Sequence, residues 1–193
     1  MVADSPSHYP LTNAEYTILR SEAAARVPEG VDAAKYAPIM CAGTAVFNAI
    51  RKAGAGVGPG ETVAVQGLGG LGHLAVQYAA RLGYRVVAIS RGAEKEAFAR
   101  QLGAHEYIDA SAGDAGEQLQ RLGGARLILA TAPTANVMNP LLKGLGILGK
   151  LIILSVPGEV TFDTAVMVSL IPFLQTRYLP PKRNDADDFG SFL

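Results

Sequence analysis

A single cysteine in 193 residues excludes an internal disulfide framework and a four-cysteine zinc site, while leaving room for one thiolate metal ligand. Net charge is lacking too: 17 basic and 17 acidic residues cancel. With no basic cluster, neither a nucleic-acid surface nor an acidic-lipid surface is indicated, and binding is expected to be local rather than field-driven. No apolar run is long enough to span a bilayer; the longest, from Ala165 to Leu174, is interrupted by Ser169. The first residues carry Asp4 and lack the apolar core of a secretory signal. These absences predict a soluble cytoplasmic protein without nucleic-acid or membrane partners. The length suits one domain with a sizeable core, and no internal repeat is present.

Glycine, by contrast, is abundant, with 22 copies, so a bare G-x-G-x-x-G match means little. The copy at Gly67-Leu68-Gly69-Gly70-Leu71-Gly72 has the neighbours its mechanism requires. The apolar strand Thr62 to Gln66 precedes it, and a helical stripe of Leu71, Leu74, Ala75, Tyr78, Ala79 and Leu82 follows, closed by Gly83. Gly67 permits a tight turn, Gly69 lets the backbone approach a pyrophosphate, and Gly72 lets the helix pack closely on the strand. Amides at the helix start, unpaired within the helix, then face the anion. The bland alternative is a glycine-rich turn that binds nothing.

The ribose of a bound dinucleotide reaches the end of the second strand, Arg85 to Ser90, where an acidic side chain selects a free 2′-hydroxyl. This chain offers Ser90, 21 positions after Gly69, then Arg91 and, further on, Lys95. A hydroxyl and a guanidinium hold a 2′-phosphate that a carboxylate would repel, so the cofactor predicted is NADP(H). The alternative is a solvated helix start, since Glu94 stands among these cations.

Helical and strand-like runs alternate from Thr62 to Val156. Helices are expected near Glu94 to Leu102, Ala115 to Leu122 and Val137 to Lys143, and strands at Glu106 to Ile108, Arg126 to Ala130 and Lys150 to Ser155. Such alternation predicts an α/β fold with a doubly wound parallel sheet. Its ligand crevice lies at the carboxyl ends of the strands, which puts Gly67 to Gly72, Ser90, Ala130 to Pro133 and Ser155 to Pro157 on one rim. Tyr36 to Ala53 reads as one helix and Gly54 to Gly60 as a connector. Residues 1–35 are expected to form an N-terminal segment, of which Met1 to Asn13 have no periodicity and are largely unstructured, 36–167 the dinucleotide-binding domain, and 168–193 an irregular tail.

Several separated features together resemble the cofactor-binding Rossmann half of the medium-chain, zinc-type alcohol dehydrogenases, in particular the NADP-using branch that reduces aldehydes such as cinnamyl aldehydes. They are Cys41-Ala42-Gly43, Gly60, Gly67 to Gly72 with His73, Ser90 with Arg91 and Lys95, Leu102-Gly103-Ala104, Thr131-Ala132-Pro133 and Gly149-Lys150. The likeness covers roughly Ala14 to Val166, with Ala14 to Pro28 resembling a remnant of the catalytic-domain edge. It implies hydride transfer between nicotinamide and an alcohol or aldehyde carbon, with a zinc ion polarising the oxygen. It implies cofactor contacts from Thr44, Gly67, Leu68, Gly69, Gly70, Leu71, Gly72, Ser90, Arg91, Lys95, Thr131, Ala132, Ser155 and Val156. Where the family has a threonine four positions beyond the cysteine, this chain has Ala45, with Thr44 beside it.

Cys41 matches a zinc ligand of the family, provided the remaining ligands are supplied; otherwise it reads as a small buried hydrophobe. None of His8, His73 and His105 takes a ligand's place by motif position, and no catalytic residue is expected within the chain. Beyond about Met167 the family's sixth strand is not found, and an incomplete sheet edge would favour self-association. Three functions follow: an NADP(H)-dependent oxidoreductase of which this chain supplies the cofactor half, a non-catalytic NADP(H)-binding module, and a zinc-free quinone or enoyl reductase. Cys41 argues against the last.

Overall fold

The structure, a computed structural model, describes residues 26–53 and 56–163. The expected sixth-strand region, the tail, and most of the N-terminal segment with its catalytic-domain remnant lie outside them. Five strands form one sheet in the order β3-β2-β1-β4-β5: β1 (Thr62–Gln66), β2 (Arg85–Ser90), β3 (Glu106–Asp109), β4 (Ala125–Ala130) and β5 (Leu145–Ile153). Every neighbouring pair is parallel. The chain leaves the centre at β1, winds outward through β2 to β3, then returns across β1 to β4 and β5. This is the doubly wound α/β arrangement expected.

Both faces of the sheet are buried, which explains why its strands read as continuous apolar runs rather than alternating ones. Val63, Val65, Val86, Ala88, Leu127 and Leu129 point to one face and pack with Val46, Ile50, Ala75, Val76, Ala79 and Ala99 from the helical segments. The intervening residues Ala64, Val87, Ile89, Ile128 and Ala130 point to the other, against Ala115, Leu119, Met138, Leu141 and Leu142. The period of two thus sorts the two helical layers. One layer holds α2 (Thr44–Asn48), α3 (Gly72–Arg81) and α4 (Glu96–Gln101), and the other α5 (Ala115–Arg121) and α6 (Met138–Lys143). In α3, Leu74, Ala75 and Ala79 of the predicted stripe are buried, and so is Val76, because this helix crosses the middle of the sheet.

Two boundaries differ from expectation. The helical stretch read as Tyr36 to Ala53 starts three residues earlier, at α1 (Ala33–Pro38), where the Asp32 carboxylate accepts from the Ala34 amide at 3.0 Å. It is also not one α-helix: Ile39–Gly43 and Ala49–Ala53 are π-helical, the first immediately after Pro38, whose missing amide breaks the regular ladder. Strand β5 begins at Leu145 and stops at Ile153, before Ser155. Leu145 pairs with Ala125, the register then shifts, and Lys150 pairs with Leu127. The residues extruded between them include Ile147, 85% exposed, and Leu148, held at φ 56°. Among the described residues, no helix is long and apolar enough to cross a membrane.

Candidate functional site

The turn between β1 and α3 is built by contacts that only glycine permits. Gly67 has φ +93°, and its amide donates to the Ile89 carbonyl at 2.8 Å, tying the turn to β2. A Cβ on Gly72 would lie 1.9 Å from the Gly67 carbonyl oxygen, so helix and strand are in backbone contact. A Cβ on Gly69 or Gly70 would meet nothing within 4 Å. The three glycines of the motif thus divide as their chemistry requires: two close the turn, and one leaves its outer side open. No side chain caps the start of α3; the His73 amide donates back to the Gly69 carbonyl at 3.0 Å, and the amides of Gly69, Gly70 and Leu71 ahead of it are left to meet an anion.

His73 completes the turn from within, its Nδ1 donating to the Gly69 carbonyl at 3.0 Å. This places the residue in the turn's structure, in keeping with local packing. From the β4 side, the Thr131 hydroxyl donates to the Gln66 carbonyl at 2.8 Å, and the Ala132 amide donates to the Gln66 side-chain oxygen at 3.2 Å. Ser155, just past β5, donates its hydroxyl to the Ala132 carbonyl at 3.0 Å. The loops after β1, β4 and β5 are therefore stitched together along the carboxyl rim.

A cavity of about 850 Å³ opens along that rim. That volume lies within the range of about 300–1,000 Å³ usual for small-molecule and cofactor sites. Gly67, Leu68, Gly69, Gly70, Leu71, Ser90, Arg91, Lys95, Thr131 and Ala132 line it, residues from the three connections that follow β1, β2 and β4. Arg91 and Lys95 are exposed where the cavity meets the end of β2, and Arg91 joins no ion pair among the described residues. Gly72, Thr44, Ser155 and Val156 are not in the lining. The Thr44 hydroxyl is spent on the Ile39 carbonyl at 3.1 Å, and Val156 is 85% exposed. Ala42 reaches the cavity from the same helical segment.

The lining also holds residues that sequence reasoning missed, among them Gln66, Ala110, Asp114, Asn136 and Val137. Gln66 carried a usable signal: it follows the apolar run 63–65 directly before the glycine turn, and it is the one buried polar side chain of its strand. Asp114 marks the start of α5, its carboxylate accepting from the Gly116 and Glu117 amides at 2.8 and 3.2 Å.

The donor set for a metal is different. Cys41 is exposed, which corrects its alternative reading as a buried hydrophobe: the first helical segment turns this residue away from the core instead of into it. Among the described residues, no group of three or more His, Cys, Asp or Glu side chains could hold a metal ion. The described residues therefore fit a dinucleotide and do not fit zinc.

Comparison with known proteins agrees with this geometry. Residues 70–175 match the family described as zinc-binding dehydrogenase. The chain is 65% identical over 150 residues to the alcohol dehydrogenase notN of Aspergillus sp., covering 78% of this chain and 44% of that protein. It is 62% identical over 156 residues to the alcohol dehydrogenase patD of Aspergillus clavatus, covering 81% of this chain and 40% of the relative. It thus spans less than half the length of either. Among solved structures, a putative alcohol dehydrogenase from Sinorhizobium meliloti superposes with a TM-score of 0.70 at 30% identity, covering 78% of this chain and 45% of that one. The glycine turn, the doubly wound sheet and these matches agree: the chain belongs to the zinc-binding dehydrogenases, within the medium-chain alcohol dehydrogenase family.

Proposed function

We propose that this chain supplies the NADP(H)-binding half of a cytoplasmic, zinc-type alcohol dehydrogenase that moves hydride between nicotinamide and an alcohol or aldehyde carbon. The observation that carries the reading is the glycine turn, open at Gly69 and Gly70 and followed by an uncapped helix start, on the wall of a cavity of dinucleotide size. Main-chain amides of the Gly67 to Gly72 turn hold the pyrophosphate. Ser90, Arg91 and Lys95 meet the 2′-phosphate, Arg91 as a planar multi-donor cation. Thr131 and Ala132, which line the cavity past β4, bound the nicotinamide side. There the Thr131 hydroxyl, already committed to Gln66, contributes loop shape rather than a free donor. The nicotinamide, when bound, supplies the hydride chemistry. The chain's own residues bind, orient and enclose it.

A second reading, an NADP(H)-binding module without turnover, is favoured by one observation: Cys41 has no companion ligands among the described residues. Aldehyde-dependent oxidation of NADPH, measured together with zinc content, separates the two. The cofactor assignment is tested by titrating the chain with NADPH and with NADH and following nucleotide fluorescence. Hydrogen bonds to charged groups contribute about 1.5–3 kcal/mol, so Arg91→Asp is expected to weaken NADPH binding by at least about tenfold and NADH binding far less. Equal losses for both nucleotides would refute the role of Arg91.

A further inference from the structure

The turn that carries Arg91 and Lys95 is held from the neighbouring strand. Gly92 lies between those two cations at φ +88°. Its amide donates to Asp109 Oδ1 at 2.9 Å, and its carbonyl accepts from the Tyr107 hydroxyl at 2.6 Å. Tyr107 and Asp109 stand two positions apart on β3 and so project to the same side of the sheet. The pairing of β2 with β3 sets Ser90 opposite Asp109, and the Ala110 amide donates to the Ser90 carbonyl at 2.8 Å. Asp109 Oδ1 is fixed in turn by the Ser111 amide at 2.9 Å and the Ser111 hydroxyl at 2.6 Å. One carboxylate oxygen thus gathers three donors. Burial, followed by the charge of Asp109, holds the Tyr107 phenol above its ordinary range, so it remains a donor.

We infer that Tyr107 and Asp109 are positioning residues for discrimination between NADP(H) and NAD(H), acting by fixing the Gly92 peptide from which Arg91 and Lys95 reach the 2′-phosphate. The inference rests on the NADP(H) reading above. Neither residue lines the cavity, so neither acts by touching the nucleotide. A turn fixed before binding spares the ordering cost that a mobile Arg91 would otherwise meet. NADH, which lacks the 2′-phosphate, gains nothing from that order.

A purely electrostatic role for Asp109 makes the opposite prediction. Its charge lies near Lys95, and Glu94 and Glu96 are close to the same turn. Removing a nearby negative charge would then strengthen NADPH binding. The sign of the effect separates the two.

The test uses the full 193-residue chain as wild type, Tyr107→Phe, Asp109→Ala and Asp109→Asn, each titrated with NADPH and NADH and checked for folding by circular dichroism. Tyr107→Phe and Asp109→Ala are expected to lower NADPH affinity about five- to tenfold while NADH changes less than about twofold, the scale of one or two hydrogen bonds. Asp109→Asn keeps the accepting oxygen and is expected to stay within about twofold of wild type for both nucleotides. If Asp109→Ala does not fold, Tyr107→Phe, which loses only a hydroxyl, decides the matter. An unchanged NADPH-to-NADH ratio in Tyr107→Phe and Asp109→Ala, or a raised one, overturns the inference while leaving the cofactor reading in place. A wild type that does not prefer NADPH overturns both.

Discussion

The two glycines Gly69 and Gly72 are predicted to respond to alanine in opposite ways, and the difference measures what the turn is for. In Gly72→Ala the new Cβ would fall 1.9 Å from the Gly67 carbonyl oxygen, 2.7 Å from its carbon and 2.9 Å from the Thr131 hydroxyl. None of these can withdraw freely, because the first two are backbone and the third is bonded to Gln66 at 2.8 Å. Overpacking of this kind costs about 1–3 kcal/mol. Alanine's smaller loss of backbone freedom offsets about 0.4–1 kcal/mol of that. A 1.9 Å contact with backbone belongs in the upper half of that range, so the net is about 1–2.6 kcal/mol, a fall in Tm of about 2–10 °C for a chain of this size.

Gly69→Ala meets nothing within 4 Å, and Gly69 does not lie in the left-handed region, so the same reasoning gives unchanged or slightly higher stability. Its methyl, however, stands where the main chain must approach the pyrophosphate. Affinity for NADPH and NADH is expected to fall together, by about tenfold or more, since both carry that group. Thermal melts and fluorescence titrations of the two variants supply the four numbers required. A Gly69→Ala chain that binds like wild type, or a Gly72→Ala chain that melts no lower than wild type, would refute the reasoning.

Glu61 is held below its ordinary carboxylate value, chiefly because the Gly58 amide donates to it, and its other oxygen accepts from Arg126 Nε at 2.8 Å. A lowered folded value means a contribution that is present above the ordinary value of 4.5 and lost as pH falls through the folded one. Glu61→Gln is therefore expected to cost under about 1 kcal/mol at pH 7, with the gap to wild type closing below pH 4.5 in denaturant melts; a gap that widens toward acid would contradict this. Cys41, being exposed, is expected to react stoichiometrically with a thiol reagent in the native chain, and reaction only after denaturant is added would contradict its placement.

Much of the fold was legible because strands buried on both faces must be apolar through their middles, and residues 63–65 of β1, 86–89 of β2 and 127–130 of β4 are. The glycine turn was legible because each glycine answers a separate steric demand. Local pattern failed where tertiary pairing decides. Leu145 joins β5 only because it pairs with Ala125 ahead of a register shift that no periodicity encodes. No local spacing shows, either, that the π-helical turn presents the Thr44 hydroxyl with the Ile39 carbonyl five residues back. The wall formed by Asp114, Asn136 and Val137 was missed because it is assembled from loops distant in sequence, whose residues follow no shared spacing.

The central claim is that a dinucleotide's phosphates rest on the main-chain donors of this turn. Backbone amide shifts of the isotopically labelled chain, followed by NMR during titration with NADPH, test it directly. Saturable shifts at Gly69, Gly70 and Leu71, larger than those at the opposite end of the sheet near Ile147, are predicted. Saturable binding that leaves these three amides unmoved would contradict it.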